Sequence, residues 1–235
     1  HADVAVIGGG PAGLSAALAP ASAGADTVLV DDQPDLGGTL RLEAGSSDDS
    51  RTGNESGAYE SARQLVDRVR SSGVSVMSGS NAFGLYQDNL IGIIVDGEVV
   101  KLRAKRVVMA TGCYEVPLVF ENNDLPGVML SSGVRRLMRL YGVRPGWTAV
   151  VATINDQGYD AALDLLDCDV RVAAVVDARP EVRHGVDSIE ALKSRGVPIL
   201  NGHTVTRAVG SKSVVAAEVT GLEDGGRRRF DCDLI

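Results

Sequence analysis

Residues 3–14 read DVAVIGGGPAGL, and the architecture of the chain follows from this stretch. The apolar, β-branched run from Ala2 to Ile7 predicts a short buried strand. The Ala- and Leu-rich run from Pro11 to Gly24 predicts a helix, because proline suits the first helical position. A further strand is predicted over Thr27–Val30. A glycine turn between a strand and a helix is the context that the pattern G-x-G-x-x-G needs, so we expect a dinucleotide-binding βαβ unit here.

The glycines of this turn have separate roles in a dinucleotide site. Gly8 permits the sharp turn after the strand, Gly10 lets the backbone approach a pyrophosphate, and Gly13 lets helix and strand pack closely. The helix that begins at Pro11 offers free N–H groups and the positive end of its dipole to the phosphates. A turn needed only for packing is the alternative interpretation, and the matching strand, helix and acidic residue disfavour it.

Two acidic residues follow the Thr27–Val30 strand. Asp31 stands at its end, where a carboxylate can accept hydrogen bonds from both ribose hydroxyls of an adenosine. The same carboxylate would repel a 2′-phosphate, so the sequence favours NAD or FAD over NADP. Asp32 is the next residue and could share this role.

Two further segments are expected to line the same crevice. The Gly37-Gly38-Thr39 turn can fold back over the pyrophosphate, with the Thr39 hydroxyl as a donor. Thr111 and Gly112 follow a predicted strand at 107–110, and the carboxyl ends of strands in an open parallel sheet line the ligand site. We therefore include Gly38, Thr39, Thr111 and Gly112 among the predicted cofactor contacts.

The remainder of the first half predicts a compact α/β domain. A polar loop is expected over 43–57, a helix over 58–72, and a strand over Val74–Met77. Ala82, after that strand, is a candidate for presenting its backbone to an adenine. Strands at 90–95 and 99–103, joined across Asp96-Gly97, predict a hairpin.

The second half repeats the plan of the first. Residues 70–79 read RSSGVSVMSG and residues 193–202 read KSRGVPILNG, which indicates two copies of one structural unit. We predict an α/β fold with two Rossmann-like parallel sheets, each carrying an antiparallel meander. Residues 1–115 are expected to form the dinucleotide-binding domain, 116–145 a proline-marked interdomain connection, and 146–235 a second, degenerate domain.

The second copy lacks the phosphate-binding glycines. Its turn, residues 153–158, reads TINDQG, so side chains replace the first two glycines and Asp156 would repel a pyrophosphate. Asp177 still ends the following strand. We therefore expect one dinucleotide per chain, bound in the first domain.

Composition excludes several other classes of function. The formal net charge is −8 and no basic face emerges, so nucleic acid and anionic membranes are not expected partners. The chain has no apolar run of the roughly 18 residues that a membrane span requires, and no signal peptide is expected. Both ends look cut, so a fragment of a longer cytoplasmic protein is expected.

Neither cysteines nor basic runs predict a further site. The three cysteines form no C-x-x-C pair, and no metal-ligand spacing is present, so neither a redox dithiol nor a metal site is expected. The simpler interpretation of Cys113 is a small buried residue. The arginine runs at 135–139 and 227–229 are expected to be solvated, with a subunit contact as the alternative. No catalytic residue is identified.

The quoted motifs resemble a known family. Residues 3–14, the DDQPDLGGT of 31–39 and the ATG of 110–112 resemble the glutathione-reductase-like two-domain fold. Narrower matches are VPLVF at 116–120, NDLPGVM at 123–129 and YGVRPG at 141–146. Together they resemble the α subunits of heterotetrameric sarcosine oxidases.

This resemblance implies an activity and a set of cofactors. That family demethylates sarcosine oxidatively to glycine and passes the electrons through flavin to oxygen, giving peroxide with formaldehyde or methylene-tetrahydrofolate. It implies NAD in the first site of the α subunit, FAD on the β subunit, FMN at the α/β interface, γ and δ subunits as further partners, and tetrahydrofolate bound later in the α chain. By matched motif, the residues that would contact NAD are Ala12, Asp31, Asp32, Gln33, Thr39 and Ala82.

The chain departs from the family pattern at two places. Val116 stands where the family often has arginine, and Pro20 interrupts a helix that is usually smooth. Subunits of related FAD-binding amino-acid dehydrogenases and of hydrogen cyanide synthase share much of the pattern and remain alternatives. So does a subunit whose dinucleotide serves the fold alone.

Overall fold

The computed structural model describes residues 1–42, 62–181 and 187–235. It divides into two compact units, His1–Tyr114 and Glu115–Ile235. Each unit combines parallel strands, flanking helices and an antiparallel meander, which confirms the predicted α/β fold class. The loop predicted over 43–57 and the start of the helix predicted from 58 lie outside the described residues. Within the described ranges, no helix has the length and apolar character needed to cross a bilayer.

The first unit contains one six-stranded mixed sheet. Its strands are β1 (Ala2–Ile7), β2 (Thr27–Val30), β3 (Ser75–Met77), β4 (Asn81–Tyr86), β5 (Leu90–Val95) and β6 (Glu98–Met109), and its helices are α1 (Pro11–Ser22) and α2 (Ala62–Ser71). The strand order is β3-β2-β1-β6-β5-β4. β1 pairs in parallel with β2 and β6, whereas β4, β5 and β6 form the antiparallel meander.

Apolar side chains hold this sheet from both faces. Leu14 and Ala17 of α1 and Leu65 and Val69 of α2 pack in one buried cluster with Leu29 of β2. The opposite face of β1 and β2 packs against the meander, through a second buried cluster. Its meander members are Ile91, Ile93, Leu102 and Ala104. The phosphate turn between β1 and α1 is therefore anchored at a strand and a helix that are both held in the core.

The hairpin predicted across Asp96-Gly97 is confirmed. Both residues have positive φ, +50° and +83°, as a two-residue turn that matches strand twist requires. The strands predicted at 99–103 and 107–110 are in fact one strand, β6. Its first half pairs antiparallel with β5 and its second half pairs parallel with β1, so a change of partner separates the two apolar runs.

The second unit has a parallel sheet and a separate antiparallel sheet. The strands are β7 (Thr148–Thr153), β8 (Arg171–Asp177), β9 (Ile199–Asn201), β10 (His203–Gly210), β11 (Val214–Gly221) and β12 (Arg227–Asp231), and the helices are α3 (Ser131–Tyr141), α4 (Gln157–Asp167) and α5 (Asp187–Ser194). β7, β8 and β9 pair in parallel, and β10, β11 and β12 pair antiparallel. The three helices pack in one buried cluster with β7 and β8. The antiparallel strands β10 and β11 pack in a second cluster with the parallel strands β7, β8 and β9.

The stretch 116–145, expected as a connection, packs as part of the second unit. It contains α3, whose first N–H groups are capped by a residue far away in the sequence. The Glu115 carboxylate accepts hydrogen bonds from Ser131 N (3.2 Å) and Ser132 N (2.7 Å). The carboxylate therefore meets the positive end of the helix dipole, which stabilises the start of α3.

Two of the three arginines of α3 are not solvated, contrary to the sequence prediction, whereas Arg136 is exposed. Asp164 of α4 is 6% exposed and accepts from Arg135 Nε (2.6 Å) and Arg139 Nη2 (2.5 Å). The helices α3 and α4 are thus joined by a largely buried charge cluster. The run 227–229 is exposed, as predicted, and lies on β12 at the edge of its sheet.

The predicted internal repeat is confirmed in the backbone. Gly73 and Gly196, after α2 and α5, have φ of +83° and +73°. Gly79 and Gly202, after β3 and β9, have φ of +62° and +66°. Glycine adopts this left-handed region without the steric cost of a Cβ atom, so the two segments match at the positions where they turn.

Candidate dinucleotide site

Two glycines of the phosphate turn are required by the packing of the protein itself. Gly8 has φ of +108°, and a Cβ atom there would lie 2.2 Å from the carbonyl oxygen of Ala110 at the end of β6. A Cβ atom at Gly13 would lie 1.7 Å from the carbonyl oxygen of Gly8. Both positions therefore exclude a side chain whether or not a ligand is bound.

Gly10 is under no such constraint. Its φ of −76° and ψ of −176° suit any residue, and the nearest atom to a Cβ placed there is the Gly38 Cα at 3.9 Å. Among the described residues, no packing contact explains why this position lacks a side chain. Space kept open beside a helix N-terminus is the space a pyrophosphate needs.

The start of α1 presents N–H groups without acceptors. Gly10 caps the helix without a side-chain hydrogen bond, and the first turn contains no acidic residue. Among the described residues, the N–H groups of Gly10, Ala12 and Gly13 have no acceptor, although Gly13 is buried. Buried donors are nearly always paired, and N–H groups at a helix start bind anions. The turn therefore fits the pyrophosphate of a dinucleotide.

The glycine-rich turn at 37–39 lies against the phosphate turn, as the sequence predicted for it. Gly37 N donates to the carbonyl oxygen of Gly9 at 2.8 Å. A Cβ atom at Gly38 would come within 2.8 Å of the Gly10 Cα. A short 3-10 helix begins at Gly38, and the Thr39 side chain is exposed at its second position. Its hydroxyl has no hydrogen-bond partner among residues 1–42, 62–181 and 187–235, so it is available as the predicted donor.

The acidic pair divides into one engaged and one free carboxylate. Asp31 accepts hydrogen bonds from the N–H of Gly9 and from the N–H of Gln33 (2.8 Å). Asp32 is exposed, and within the described part of the chain its side chain makes no hydrogen bond or ion pair. The sequence did not predict this division.

The remaining predicted contacts lie at or near the same end of the sheet. Thr111 and Gly112 are exposed directly after β6, where Ala110 N donates to the carbonyl oxygen of Ile7 (2.7 Å). Ala82 lies on β4, a strand that the sequence did not predict, and pairs with Ile93. The start of β4 lies beside the acidic pair, because Ser80 N, two residues before Ala82, donates to the carbonyl oxygen of Asp31 (2.8 Å).

The corresponding turn in the second unit keeps one glycine and loses the other two. A Cβ atom at Gly158 would lie 2.3 Å from the Thr153 Cβ, so this glycine has the packing role of Gly13. Asn155 occupies the position of Gly10, and its Oδ1 accepts a hydrogen bond from Gln157 N (3.1 Å). The start of α4 is thus occupied by a side chain of the turn itself.

A partly buried ion cluster joins the end of β8 to the turn before α4. Asp177, at the end of β8, is fully buried and accepts from the Tyr159 hydroxyl (2.6 Å) and from Arg179 Nη2 (2.7 Å). Arg179 Nη1 also pairs with Asp156 at 2.8 Å. One guanidinium therefore joins the strand-end acid to the phosphate turn. Sequence analysis named both acids but missed Tyr159 and Arg179, although an arginine two residues after the strand-end acid was a visible signal.

The ionisation of this cluster is fixed by its neighbours. Burial raises the pKa of Asp177, but hydrogen bonds from Arg179 and Tyr159 outweigh burial and hold the pKa below its usual value. Burial and the hydrogen bond to Asp177 raise the pKa of Tyr159. The same carboxylate raises the pKa of Arg179. At neutral pH the cluster therefore holds a carboxylate, a guanidinium and a protonated phenol.

The cysteines lie in different environments. Cys113 is exposed, which corrects the expectation that it is buried; residues 111–117 are all exposed after β6 ends. Cys232 is buried, and burial raises the pKa of its thiol to about 11. At neutral pH that thiol is protonated and unreactive.

Comparison with known proteins identifies relatives along the whole chain. Sarcosine oxidase subunit alpha of Corynebacterium sp. (strain P-1) is 34% identical over 256 residues, covering 100% of this chain and 26% of that protein. The subunit of the same name from Rhizobium meliloti (strain 1021) is 36% identical over 243 residues, covering 97% of this chain and 23% of that protein. The resemblance found in the motifs is thereby confirmed along the chain, which spans about a quarter of the length of these relatives.

Structural comparison identifies the same fold. The crystal structure of T. acidophilum thioredoxin reductase matches with a TM-score of 0.75 at 18% identity, covering 99% of this chain and 75% of that chain. The family model described as "Pyridine nucleotide-disulphide oxidoreductase" matches residues 2–235. The chain therefore belongs to the pyridine nucleotide-disulphide oxidoreductase family.

Proposed function

We propose that this chain is the NAD-binding part of the α subunit of a flavin-dependent sarcosine oxidase, and that it binds one NAD in its first unit. The observation that carries the proposal is the set of unpartnered N–H groups at the start of α1 beside the open Gly10. The similarity to sarcosine oxidase α subunits supports the choice of enzyme. The acidic pair at the end of β2 would repel a 2′-phosphate, which supports NAD over NADP.

The proposed reaction belongs to the whole assembly. It is the oxidative demethylation of sarcosine to glycine, with peroxide and either formaldehyde or methylene-tetrahydrofolate as further products. We place FAD, FMN and tetrahydrofolate elsewhere in a cytoplasmic heterotetramer with β, γ and δ subunits. The role of this chain is to bind and orient a dinucleotide, through Gly8, Gly10, Pro11, Ala12, Gly13, Asp31, Asp32, Gln33, Gly38, Thr39, Ala82, Thr111 and Gly112.

The bound NAD is proposed to serve the fold and the assembly without being turned over. A two-domain reductase needs a second nucleotide, which delivers hydride to the cofactor of the first domain. In the second unit, Asn155 replaces the open glycine, and Asp156 with Arg179 occupies the turn. This arrangement supports a single dinucleotide per chain and no NADH-dependent reductase activity.

A second candidate is an FAD-binding subunit of an amino-acid dehydrogenase or of hydrogen cyanide synthase. The observation in its favour is a weaker similarity to hydrogen cyanide synthase subunit HcnB of Pseudomonas protegens, 25% identical over 247 residues and 91% of this chain. The geometry of the phosphate turn suits the pyrophosphate of FAD as well as that of NAD.

The two candidates are distinguished by the ligand released from the first site. The protein and its Gly10→Val variant would be denatured, and the released cofactors identified by mass and by visible absorption. The proposal predicts that the variant loses NAD while its flavin content stays unchanged. Loss of FAD from the variant, with no NAD in either protein, would favour the second candidate.

A further inference from the structure

The pattern G-x-G-x-x-G does not account for Gly9. This residue occupies a variable position of the pattern, yet it is glycine and it is buried. A Cβ atom there would lie 2.5 Å from the Leu36 Cδ2 and 2.9 Å from the Asp31 Oδ2. Part of the space that a side chain would need at Gly9 is taken by the carboxylate of Asp31.

The Asp31 carboxylate ties the phosphate turn to the segment after β2. One oxygen accepts from the N–H of Gly9 and the other from the N–H of Gln33 (2.8 Å). The Asp31 backbone makes two more hydrogen bonds: its N–H donates to the carbonyl oxygen of Met77 (2.9 Å), and its carbonyl oxygen accepts from Ser80 N (2.8 Å). Gly9 is held on its other side, because its carbonyl oxygen accepts from Gly37 N at 2.8 Å.

These contacts bear on which donors and acceptors remain for a ligand. The N–H of Gly9 is occupied by Asp31, so the donors left for a pyrophosphate are those of Gly10, Ala12 and Gly13. Each Asp31 oxygen already accepts one backbone N–H, so about two of the roughly four lone-pair sites of this carboxylate are used and its orientation is set by the turn. The exposed Asp32 keeps its full acceptor capacity.

From this geometry we propose that Asp31 is a positioning residue that shapes the phosphate turn through Gly9, and that Asp32 is the carboxylate that reads the ribose. The inference deepens the proposed dinucleotide site and rests on it for the ribose assignment. The two neighbouring acids then have different roles. Asp31 sets the affinity for any ligand with a pyrophosphate, and Asp32 sets the preference for an intact ribose.

A binding cycle tests the division. NAD and its analogue lacking the 2′-hydroxyl of the adenosine ribose are titrated into the protein, Asp31→Ala and Asp32→Ala. We expect Asp31→Ala to weaken both ligands by a similar factor, about tenfold or more, because losing hydrogen bonds to a charged acceptor has effects of that order. The preference for NAD over the analogue should survive in Asp31→Ala and vanish in Asp32→Ala. The reverse pattern would assign the ribose to Asp31 and overturn the proposal.

A second variant tests the link through Gly9. Gly9→Ala keeps both acids in the sequence, but its Cβ atom would collide with Leu36 Cδ2 (2.5 Å) and with the Asp31 carboxylate (2.9 Å). It should therefore displace that carboxylate and reproduce the uniform loss of affinity expected for Asp31→Ala. The double variant should be little worse than either single one, because both remove the same contact. Fully additive losses would show that the two residues act separately.

A readout in the ligand-free protein keeps this inference distinct from the proposed NAD site. Hydrogen exchange of the Gly9 amide should be slow in the protein and in Asp32→Ala, and fast in Asp31→Ala, with Asp31→Asn as the milder replacement should Asp31→Ala fail to fold. Unchanged exchange in both Asp31 variants would overturn the positioning role, even if NAD binds. Loss of protection in a protein that binds no NAD would support the positioning role while the proposed function failed.

Discussion

Gly8, Gly10 and Gly13 look equivalent in the sequence, but different constraints hold them in the structure. Gly8 and Gly13 each face a backbone oxygen at a distance that no Cβ atom tolerates, whereas Gly10 faces open space. The packing roles of Gly8 and Gly13 could be predicted from the sequence, because they follow from the geometry of a strand–turn–helix unit. The pyrophosphate role of Gly10 stays a prediction. Sequence reasoning could not find the contact between Asp31 and Gly9, because that contact depends on which way a side chain points after β2.

The contrast between these glycines gives the first prediction. Gly10→Val should abolish dinucleotide binding and leave the thermal stability of the ligand-free protein unchanged, because a Cβ atom there meets nothing nearer than the Gly38 Cα at 3.9 Å. Gly13→Val should destabilise the first unit, because its side chain meets the carbonyl oxygen of Gly8. Calorimetric binding and thermal unfolding on both variants check this, and full NAD binding by a folded Gly10→Val protein would refute the site.

The Asp177 cluster predicts a pH dependence of stability. Its pKa is lowered in the folded state, so its stabilising effect is complete above the unfolded pKa of about 3.9. That effect is lost as the pH falls through the lower folded value. Asp177→Asn should therefore lower the free energy of unfolding at neutral pH and flatten its decline below about pH 4. The measurement is urea unfolding followed by the fluorescence of Trp147, the single tryptophan, which lies in the second unit.

Asp169→Asn is the matched control for that measurement. Asp169 is exposed and has φ of +59°, a conformation that asparagine also adopts. This variant should keep the acid dependence of the parent protein. An equally steep decline in Asp177→Asn would show that the buried carboxylate does not couple stability to pH.

At the scale of elements, the sequence predicted best where hydrophobic pattern and turn chemistry agree. The strands β1, β2 and β8 and the Asp96-Gly97 hairpin were predicted, because each combines an apolar run with a glycine or acidic boundary. The strand β4 was missed because its alternation is broken by Gly84 and by a bulge. The edge strand β12 was missed because its first three residues are arginines, which break the apolar pattern expected of a strand.

The helix α3 was missed for a different reason. Its apolar positions, Val134 and Met138, face the core of the second unit, but prolines on both sides suggested a connection. Its arginines gave the impression of a solvated surface, since sequence alone does not reveal that Asp164 of the next helix accepts from two of them. Long-range charge pairing of this kind leaves no local signal.

The docking of α3 on α4 provides the third prediction. Asp164→Ala would leave Arg135 and Arg139, with side chains 18% and 20% exposed, without this partner. Removing one side of a largely buried charge cluster costs about 3 kcal/mol, and we expect a loss of that order in the free energy of unfolding. Urea titration with Trp147 fluorescence measures it.

The control for α3 is an exposed ion pair on α5. Glu190 pairs with Lys193 at 3.0 Å, with side chains 76% and 58% exposed. Exposed pairs contribute less than about 1 kcal/mol, so Glu190→Ala should change stability little. Equal losses in Asp164→Ala and Glu190→Ala would mean that the buried cluster does not hold α3.

At the scale of the whole molecule, one architectural plan occurs twice with different outcomes. The first unit keeps unpartnered N–H groups beside an open glycine. The second unit keeps the packing glycine, Gly158, but fills the turn with Asn155 and joins Asp156 to Asp177 through Arg179. The sequence predicted the loss of the second site from the missing glycines. The structure adds the ion cluster that joins this turn to the end of β8.

The most direct test of one dinucleotide per chain is a calorimetric titration of the ligand-stripped protein with NAD and then with NADH. The account predicts one equivalent of NAD, no further binding of NADH, and no binding of either to Gly10→Val. Arg179→Ala should leave the NAD stoichiometry at one, because the second turn lacks the open glycine with or without its guanidinium. A second equivalent that persists in Gly10→Val and disappears in Arg179→Ala would place a working nucleotide site in the second unit and contradict the account.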